Sequence, residues 1–397
     1  MSDTRGTVLT INGGSSSIRF ALFSMHPSPQ RILRGQIERI GLDGTRLSAT
    51  SQEGSSLDNR EIHATSHRAA AEQLIDWLDE NGRGTVVAIG HRVVHGGIHL
   101  VNHQRVNDAL IEELKRTQPL DLAHLPLEIA LIEALGRRLP GTPQVACFDT
   151  AFHRDLPRVA QLLPIPRRYT DAGVRRLGFH GLSYSYLVQE LQRVAGDRAA
   201  QGKVILAHLG SGSSMVAIRD GKPIDTSMAF TPTAGLVMGT RPGDIDPGLL
   251  VYLMKTEKLS SEQMDEFLSH ECGLRGVSGT TSDMRDLLKS RQTDPRAAQA
   301  VDLFCYQARK FIGAYVAALE GLDTLVFSGG IGQHSPAVRQ QICSGLSIFN
   351  LHIDERQNAE DAAVISTSQS GVIVRVIPTD EEAMIARIVR TVLDRST

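Results

Sequence analysis

The chain is poor in the residue patterns that announce extracellular, metal-built or membrane proteins. Its four cysteines, Cys147, Cys272, Cys305 and Cys343, form no C-x-x-C pair and no Cys/His ligand spacing. That excludes a zinc site or a disulfide framework as the organising element, and free buried thiols are expected instead. No run approaches the roughly 18 apolar residues of a membrane helix. The opening MSDTRGTV has no apolar segment of the secretory kind. Neither charge is in excess: the formal net charge of -2 offers no general attraction for nucleic acid or anionic lipid. The expectation is a cytoplasmic protein with no nucleic-acid and no membrane partner, in which any anion site is local.

What the chain does have is length and a repeated idea. Its 397 residues, 41% of them hydrophobic and 22% charged, exceed one ordinary core and suggest two domains. The segment VLTINGGSSSIRFALF (8 to 23) reads as strand, Gly/Ser turn, strand; KVILAHLGSGSSMVAI (203 to 218) reads the same way. Glycines admit close approach of backbone N–H groups to an anion, and serines add donors. No G-x-x-x-x-G-K-[ST] pattern is present in the first segment, so these are hairpin turns rather than a P-loop. Two such hairpins suggest a duplicated α/β domain, although Gly/Ser turns are also common on their own.

The remaining elements alternate. TVVAIGHRVV and QVACFDTAF begin as buried strands, whereas RAAAEQLIDWL and LPLEIALIEALGRRL have helical periodicity. A long helix puts Val301, Phe304, Ala308, Phe311, Tyr315 and Leu319 on one stripe, and TLVFSGGIG follows as a strand whose carboxyl end carries a Gly-rich turn. Residues 41 to 60 are the most polar stretch and are expected to be an exposed excursion.

The residues with chemical promise sit at strand ends. Arg92 lies in GHRVVHGG, His180 in GFHGLS and Arg241 in MGTRPGD. An arginine at a glycine-lined turn presents a planar fork to carboxylate or phosphate; alone, each could equally be a surface ion pair. Together with the two hairpins and GGIG they describe a cationic site on a protein without a basic surface, as phosphoryl transfer requires. Asp149 and Glu381 follow strands and are candidates to hold Mg2+. Helix capping by Asp380 and Glu381, with Thr379, is the competing reading of that segment.

In these residues the chain resembles the acetate kinases, within the acetate and sugar kinase, heat-shock-cognate and actin superfamily. The resemblance runs in order through INGGSSSIRF, GHRVVHGG, FDTAFH, GFHGLSY, HLGSGSSMVAI, DTSMAFTPTAGLVMGTRPGDIDPG, GVSGTTSDMRDL, VFSGGIGQHSPAVR and IPTDEEAMIA. It implies an α/β, two-domain, duplicated ribonuclease-H-like (actin-like ATPase) fold with a cleft between the domains. The domains would be 1–150 and 151–382, with a terminal helix 383–397 packing back on the first and a homodimer formed mainly by the second. The reaction implied is reversible, Mg2+-dependent transfer of phosphoryl from ATP to acetate, giving acetyl phosphate and ADP, with Mn2+ as an alternative metal.

Carried over motif by motif, Arg92, Asp149, His180 and Arg241 would be catalytic, and Arg92, Val94, Phe179 and Pro232 would bind the acid. Nucleotide and its phosphates would meet Asn12, Ser15, Ser17 and Arg19, then His208, Gly210, Ser211, Gly212, Asp283, Met284, Arg285, Gly329, Gly330, Ile331 and Gly332. Asn12 and Glu381 would serve the metal. The chain departs from the usual family pattern at Arg19, Leu182, Tyr184, Ser211 and the run Ala123-His124-Leu125. Ala123 bears on acid length, because one methylene in an apolar pocket is worth only about 1–3 kcal/mol, which leaves propionate beside acetate. A nucleotide-dependent binding protein on the same fold is the reading from another class.

Overall fold

The computed structural model describes residues 6–14, 16–25, 28–81, 85–122 and 124–395. They divide into two compact units, one within Met1–Ala151 and Asp380–Thr397, the other Phe152–Thr379.

The first unit holds β1 (Thr7–Gly14), β2 (Ser17–Ser24), β3 (Gln30–Glu38), β4 (Arg46–Ser51), β5 (Ser56–Glu61), β6 (Val86–Val93), β7 (Gln104–Arg105) and β8 (Gln144–Phe148), ordered β5-β4-β3-β2-β1-β6-β8-β7 in one sheet. β1 pairs antiparallel with β2 and parallel with β6. It is buried along nearly its whole length, as a central strand covered on both faces must be. The helices His67–Glu80 and Leu125–Arg138 contribute Leu74, Trp77, Leu131 and Leu135 to one core. The terminal helix Glu381–Asp394 packs against β1 and β6. Gly90 on β6 permits that approach: a Cβ there would lie 2.4 Å from Ile385 Cγ2 and 2.6 Å from Val389 Cγ2, too close for any side chain.

The second unit repeats the plan with β9 (Val204–Leu209), β10 (Ser213–Arg219), β11 (Lys222–Thr226), β12 (Thr324–Ser328) and β13 (Ile373–Val376), ordered β11-β10-β9-β12-β13. β9 is antiparallel to β10 and parallel to β12, and β12 is parallel to β13. The order β3-β2-β1-β6-β8 in the first unit has the same directions, so the hairpin repeat read in sequence is a repeat of topology. The long helix Pro295–Leu319 starts where Asp294 accepts a hydrogen bond from the Arg296 N–H. It buries Val301, Phe304, Ala308, Tyr315 and Leu319 against Ile205, Ala207, Leu325 and Phe327, with Phe311 half-buried. Each of its large apolar side chains contributes about 1.5–3 kcal/mol by leaving water.

Three expectations need correction. Residues 41 to 60 are not an excursion: β4 and β5 within and beside them extend the sheet antiparallel from β3, because Leu47 and Ala49 alternate inward while their polar neighbours face out. The Gly-rich segment after β12 is no open turn but the start of a short helix, Gly329–His334. The terminal helix begins at Glu381, not 383, because the Asp380 carboxylate accepts from the Ala383 N–H at 2.9 Å and caps it.

Candidate active site

In the first unit an arginine is held by a carboxylate and an amide. Arg92, near the end of β6, donates from Nε and Nη2 to Asp149 Oδ2 at 3.2 and 2.7 Å, and from Nη1 to Asn12 Oδ1 at 3.1 Å. Asn12 in turn donates from Nδ2 to Glu381 Oε2 at 2.9 Å and to Glu382 Oε1 at 3.4 Å. Burial opposes the guanidinium charge, but Asp149, Glu381 and Glu128 outweigh it and raise the Arg92 pKa. The topology explains the gathering: β1 and β6 are parallel neighbours, β8 lies beside β6, and the capped start of the terminal helix brings Glu381 to Asn12.

Asp380 takes the capping role, which frees Glu381 to face the site; it also binds Arg31 at 2.5 Å. Arg19 sits across the hairpin from Asn12 and close enough to Glu382 to favour its ionised form, although burial and then Glu381 push that carboxyl up on balance. Ser17 opens β2 half-buried. Ser15 and Ala123 lie outside the described residues.

Glu128 is a residue that periodicity conceals. It falls within the apolar run LPLEIALIEAL, yet is 2% exposed, and both its oxygens accept from the Val94 N–H at 3.1 Å. Burial first, then nearby Asp121, push its carboxyl well above the usual range, with Arg92 pulling the other way. A carboxylate on an otherwise buried helix face was the signal available in sequence.

The second unit assembles the imidazoles. His180 has φ +56° immediately before the helix Gly181–Ala195, the left-handed region that few non-glycine residues adopt. Its ring stacks on that of His208 from β9, centroids 4.3 Å apart. His180 Nδ1 lies 2.8 Å from Ser214 Oγ, and His208 Nδ1 lies 2.8 Å from Ser183 Oγ. Gly212 in the β9–β10 turn leaves the space beside them: a Cβ there would meet Arg241 Nη2 at 2.7 Å and His180 Nε2 at 3.4 Å. Arg241 Nη1 donates to the Pro232 carbonyl at 2.8 Å, which joins two of the expected residues directly. Phe179 is buried, and its carbonyl accepts from His153 Nε2 at 2.9 Å.

The turn residues also cluster. Gly210 lies beside the Gly330 N–H and Gly329 against Leu209, and Ser211 accepts from the Gly239 N–H at 2.8 Å. The segment Asp283 to Arg285 contributes differently. Asp283 caps the helix Met284–Ser290, and its carboxyl is held down to about 2 first by the hydrogen bond from Arg285. Arg285 is largely exposed, the Met284 side chain is in the hydrophobic core, which leaves its backbone for a ligand, and Ile331 packs against that core while staying partly exposed. Glu382, Glu128 and Ser183 are the site neighbours that motif spacing left unassigned, and Ser214, at the end of the stretch expected to meet nucleotide, instead contacts His180.

The donor set suits a hard cation. No group of three or more His, Cys, Asp or Glu residues able to hold a metal occurs among the described residues. Asp149 and Glu381 instead offer carboxylate oxygens of the kind that hold Mg2+ through one or two protein ligands, the rest coming from phosphates and water. Asn12 fits less well as a ligand, since its amide oxygen accepts from Arg92 and its nitrogen faces Glu381.

Comparison with known proteins agrees with this architecture. An acetate kinase of Rhodopseudomonas palustris is 41% identical over 394 residues, 98% of each chain. The crystal structure of Porphyromonas gingivalis acetate kinase superposes with a TM-score of 0.86 at 35% identity, covering 98% of this chain and 100% of that one. A propionate kinase structure from Francisella tularensis gives 0.90 at 35% identity, over 97% and 99%. The fold is therefore the α/β actin-like ATPase fold with its duplicated sheet. The Acetokinase family description matches residues 7–387, and across nearly its whole length the chain belongs to that family.

Proposed function

We propose that the protein is a kinase with a carboxylate acceptor, catalysing ATP + acetate = acetyl phosphate + ADP by direct in-line transfer. The observation that carries this reading is the gathering of Arg241, His180 and the Gly212 backbone at one turn of the second unit, where donors converge as a transferring phosphoryl demands. A carboxylate oxygen attacks the γ-phosphorus, the bond from that phosphorus to the β–γ bridging oxygen breaks, and ADP leaves with the electron pair. No general base is required, because an acid of this kind is already ionised near neutral pH.

Arg92 and Arg241 hold the acid and phosphoryl oxygens and offset the repulsion between two anions. His180 donates a hydrogen bond to the transferring group. Val94, Phe179 and Pro232 receive the alkyl end. Asn12, Ser17 and Arg19 meet the phosphates, with Ser15 kept in that role by its motif alone; His208, Gly210, Ser211, Gly212, Asp283 to Arg285 and Gly329 to Gly332 take the nucleotide. Glu381 and Asp149 would hold Mg2+, with Asn12 orienting Glu381 and Arg92; the ion supplies charge neutralisation on the phosphates. Two domains, residues 1–150 with the terminal helix and residues 151–382, are part of the proposal.

A homodimer through the second unit is part of the proposal. The helix Pro247–Thr256, PGLLVYLMKT, buries none of its residues and exposes Leu249, Val251 and Tyr252 around its circumference, apolar surface suited to cover by a second copy. Sedimentation of the purified protein checks it. A cytoplasmic location is proposed with it, and cell fractionation checks that. No described helix is long and apolar enough to cross a membrane.

Trapping acyl phosphate with hydroxylamine, with ATP, Mg2+ and acids from formate to butyrate, tests the reaction. A maximum at acetate supports the reading; a maximum at propionate moves the specificity toward that of the Francisella relative. ATP binding without acyl phosphate from any acid overturns it.

A further inference from the structure

Ser214 and Tyr184 have no part in the reaction as written, yet they form a buried chain that ends on His180. Tyr184 lies one helical turn after His180, its N–H donating to the His180 carbonyl at 3.0 Å. Residues so spaced share a helix face, and both side chains reach the same atom, Ser214 Oγ. Ser214 and Tyr184 are each 0% exposed, so water does not compete for the arrangement.

We infer that Tyr184 and Ser214 are positioning residues that fix the tautomer of His180, keeping the proton on Nε2, the nitrogen beside Gly212. A serine hydroxyl has one proton to give and lone pairs to accept with. Between its two neighbours, the phenol, with a pKa of about 10, is the better donor, being far more acidic than the N–H of a neutral imidazole. Tyr184 therefore donates to Ser214, and Ser214 spends its own proton on His180 Nδ1. An imidazole that accepts at Nδ1 is neutral and carries its hydrogen at Nε2.

The stacked ring of His208 acts in the same direction. Two imidazoles 4.3 Å apart, face to face, resist being cations together because like charges at that distance repel. His208 is itself tied through Ser183 to Thr379, each link 2.8 Å. The ring of His180 is thus set in plane, direction and protonation before any anion arrives, which is what makes a donor effective in a transition state.

The kinetic consequence rests on the phosphoryl-transfer reading above; the tautomer does not. The test uses full-length protein with 15N-labelled histidine and two-bond 1H–15N correlations, the His180 signals being assigned by their loss in His180→Asn. Wild type is expected to show His180 protonated at Nε2 only, and Ser214→Ala to show a mixture of tautomers. In turnover, Ser214→Ala should lower kcat by about tenfold to a hundredfold, with KM for acid and ATP within about twofold. Tyr184→Phe should lower it less, and Ser214→Thr, which keeps the hydroxyl, should retain most of it.

Unchanged melting temperatures would separate these effects from misfolding. His180 protonated at Nδ1 in wild type, or a Ser214→Ala enzyme with wild-type kcat, overturns the inference. Wild-type protein that forms no acyl phosphate overturns the reaction instead, while its spectrum still decides the tautomer.

Discussion

The two units carry the same sheet order and the same opening hairpin, yet they hold their key arginines in opposite ways. Arg92 is fixed by charge, lying against an Asp149 carboxylate that is fully buried. Arg241 donates to a backbone carbonyl and lies beside a glycine turn and an imidazole. A guanidinium already neutralised by a buried carboxylate is part of the fold as well as of the chemistry. One that donates to a backbone carbonyl beside a glycine turn stands where its charge can act on an incoming anion. The two arginines do not occupy equivalent places in the repeat, Arg92 standing on β6 and Arg241 in the loop after β11, and the neighbours of each decide what removing it costs.

The largest expected effect breaks that comparison most directly. Arg241→Ala should lower kcat by roughly 10³–10⁵ while its melting temperature stays close to wild type. Arg92→Ala should lose comparable activity and also destabilise the protein by about 3–5 kcal/mol, because it removes the cation from a buried pair. Hydroxylamine-trapped turnover and urea denaturation of both variants read the two effects separately. If Arg241→Ala loses as much stability as Arg92→Ala, the contrast between the units is wrong.

A smaller effect concerns acid. His91 in the first unit and His153 in the second are buried and neutral, each pushed down to about 4 by burial and each with Nε2 on an oxygen, Gln144 Oε1 and the Phe179 carbonyl respectively. Their folded pKa lies below the unfolded value, so the unfolded chain binds more protons between about pH 4 and 6.5. Stability contributed by each is present above about 6.5 and falls with pH through that window, by about 1.4 kcal/mol per pH unit. Denaturation midpoints measured from pH 7 to pH 4.5 should decline, and His91→Gln should decline less steeply than wild type. An equal slope would remove His91 from the account.

The fold was legible because its signals are local. Two Gly/Ser turns between apolar strands and one long amphipathic helix state the duplication in a few dozen residues. Arg92, His180 and Arg241 were legible because glycines lie close to them in sequence, although only Arg92 stands at a strand end, His180 opening a helix and Arg241 lying in a loop. The partners that hold them were not. Glu128 reaches Val94 from 34 residues away and Asn12 reaches Glu381 from 369 residues away, distances that no periodicity spans. β4 and β5 were missed for a related reason: an edge hairpin with few inward residues looks like a polar loop until β3 is there to pair with it.

The smallest effect sharpens the comparison at its least obvious residue. Glu128 is raised well above 4.5 by burial, so its sign is opposite to that of the histidines. The folded state binds the proton more tightly than the unfolded chain, and the stability this gives is present below about 4.5 and lost as pH rises through the folded value. Glu128→Gln keeps an acceptor for the Val94 N–H but has no proton to lose. The variant should therefore gain on wild type as pH rises above 4.5, by up to about 1.4 kcal/mol per pH unit, in paired urea denaturations at pH 5 and pH 8. A constant difference between the two proteins across that range would mean that Arg92 holds Glu128 ionised throughout. The first unit's arginine would then be bound by one more charge than the geometry at Val94 requires.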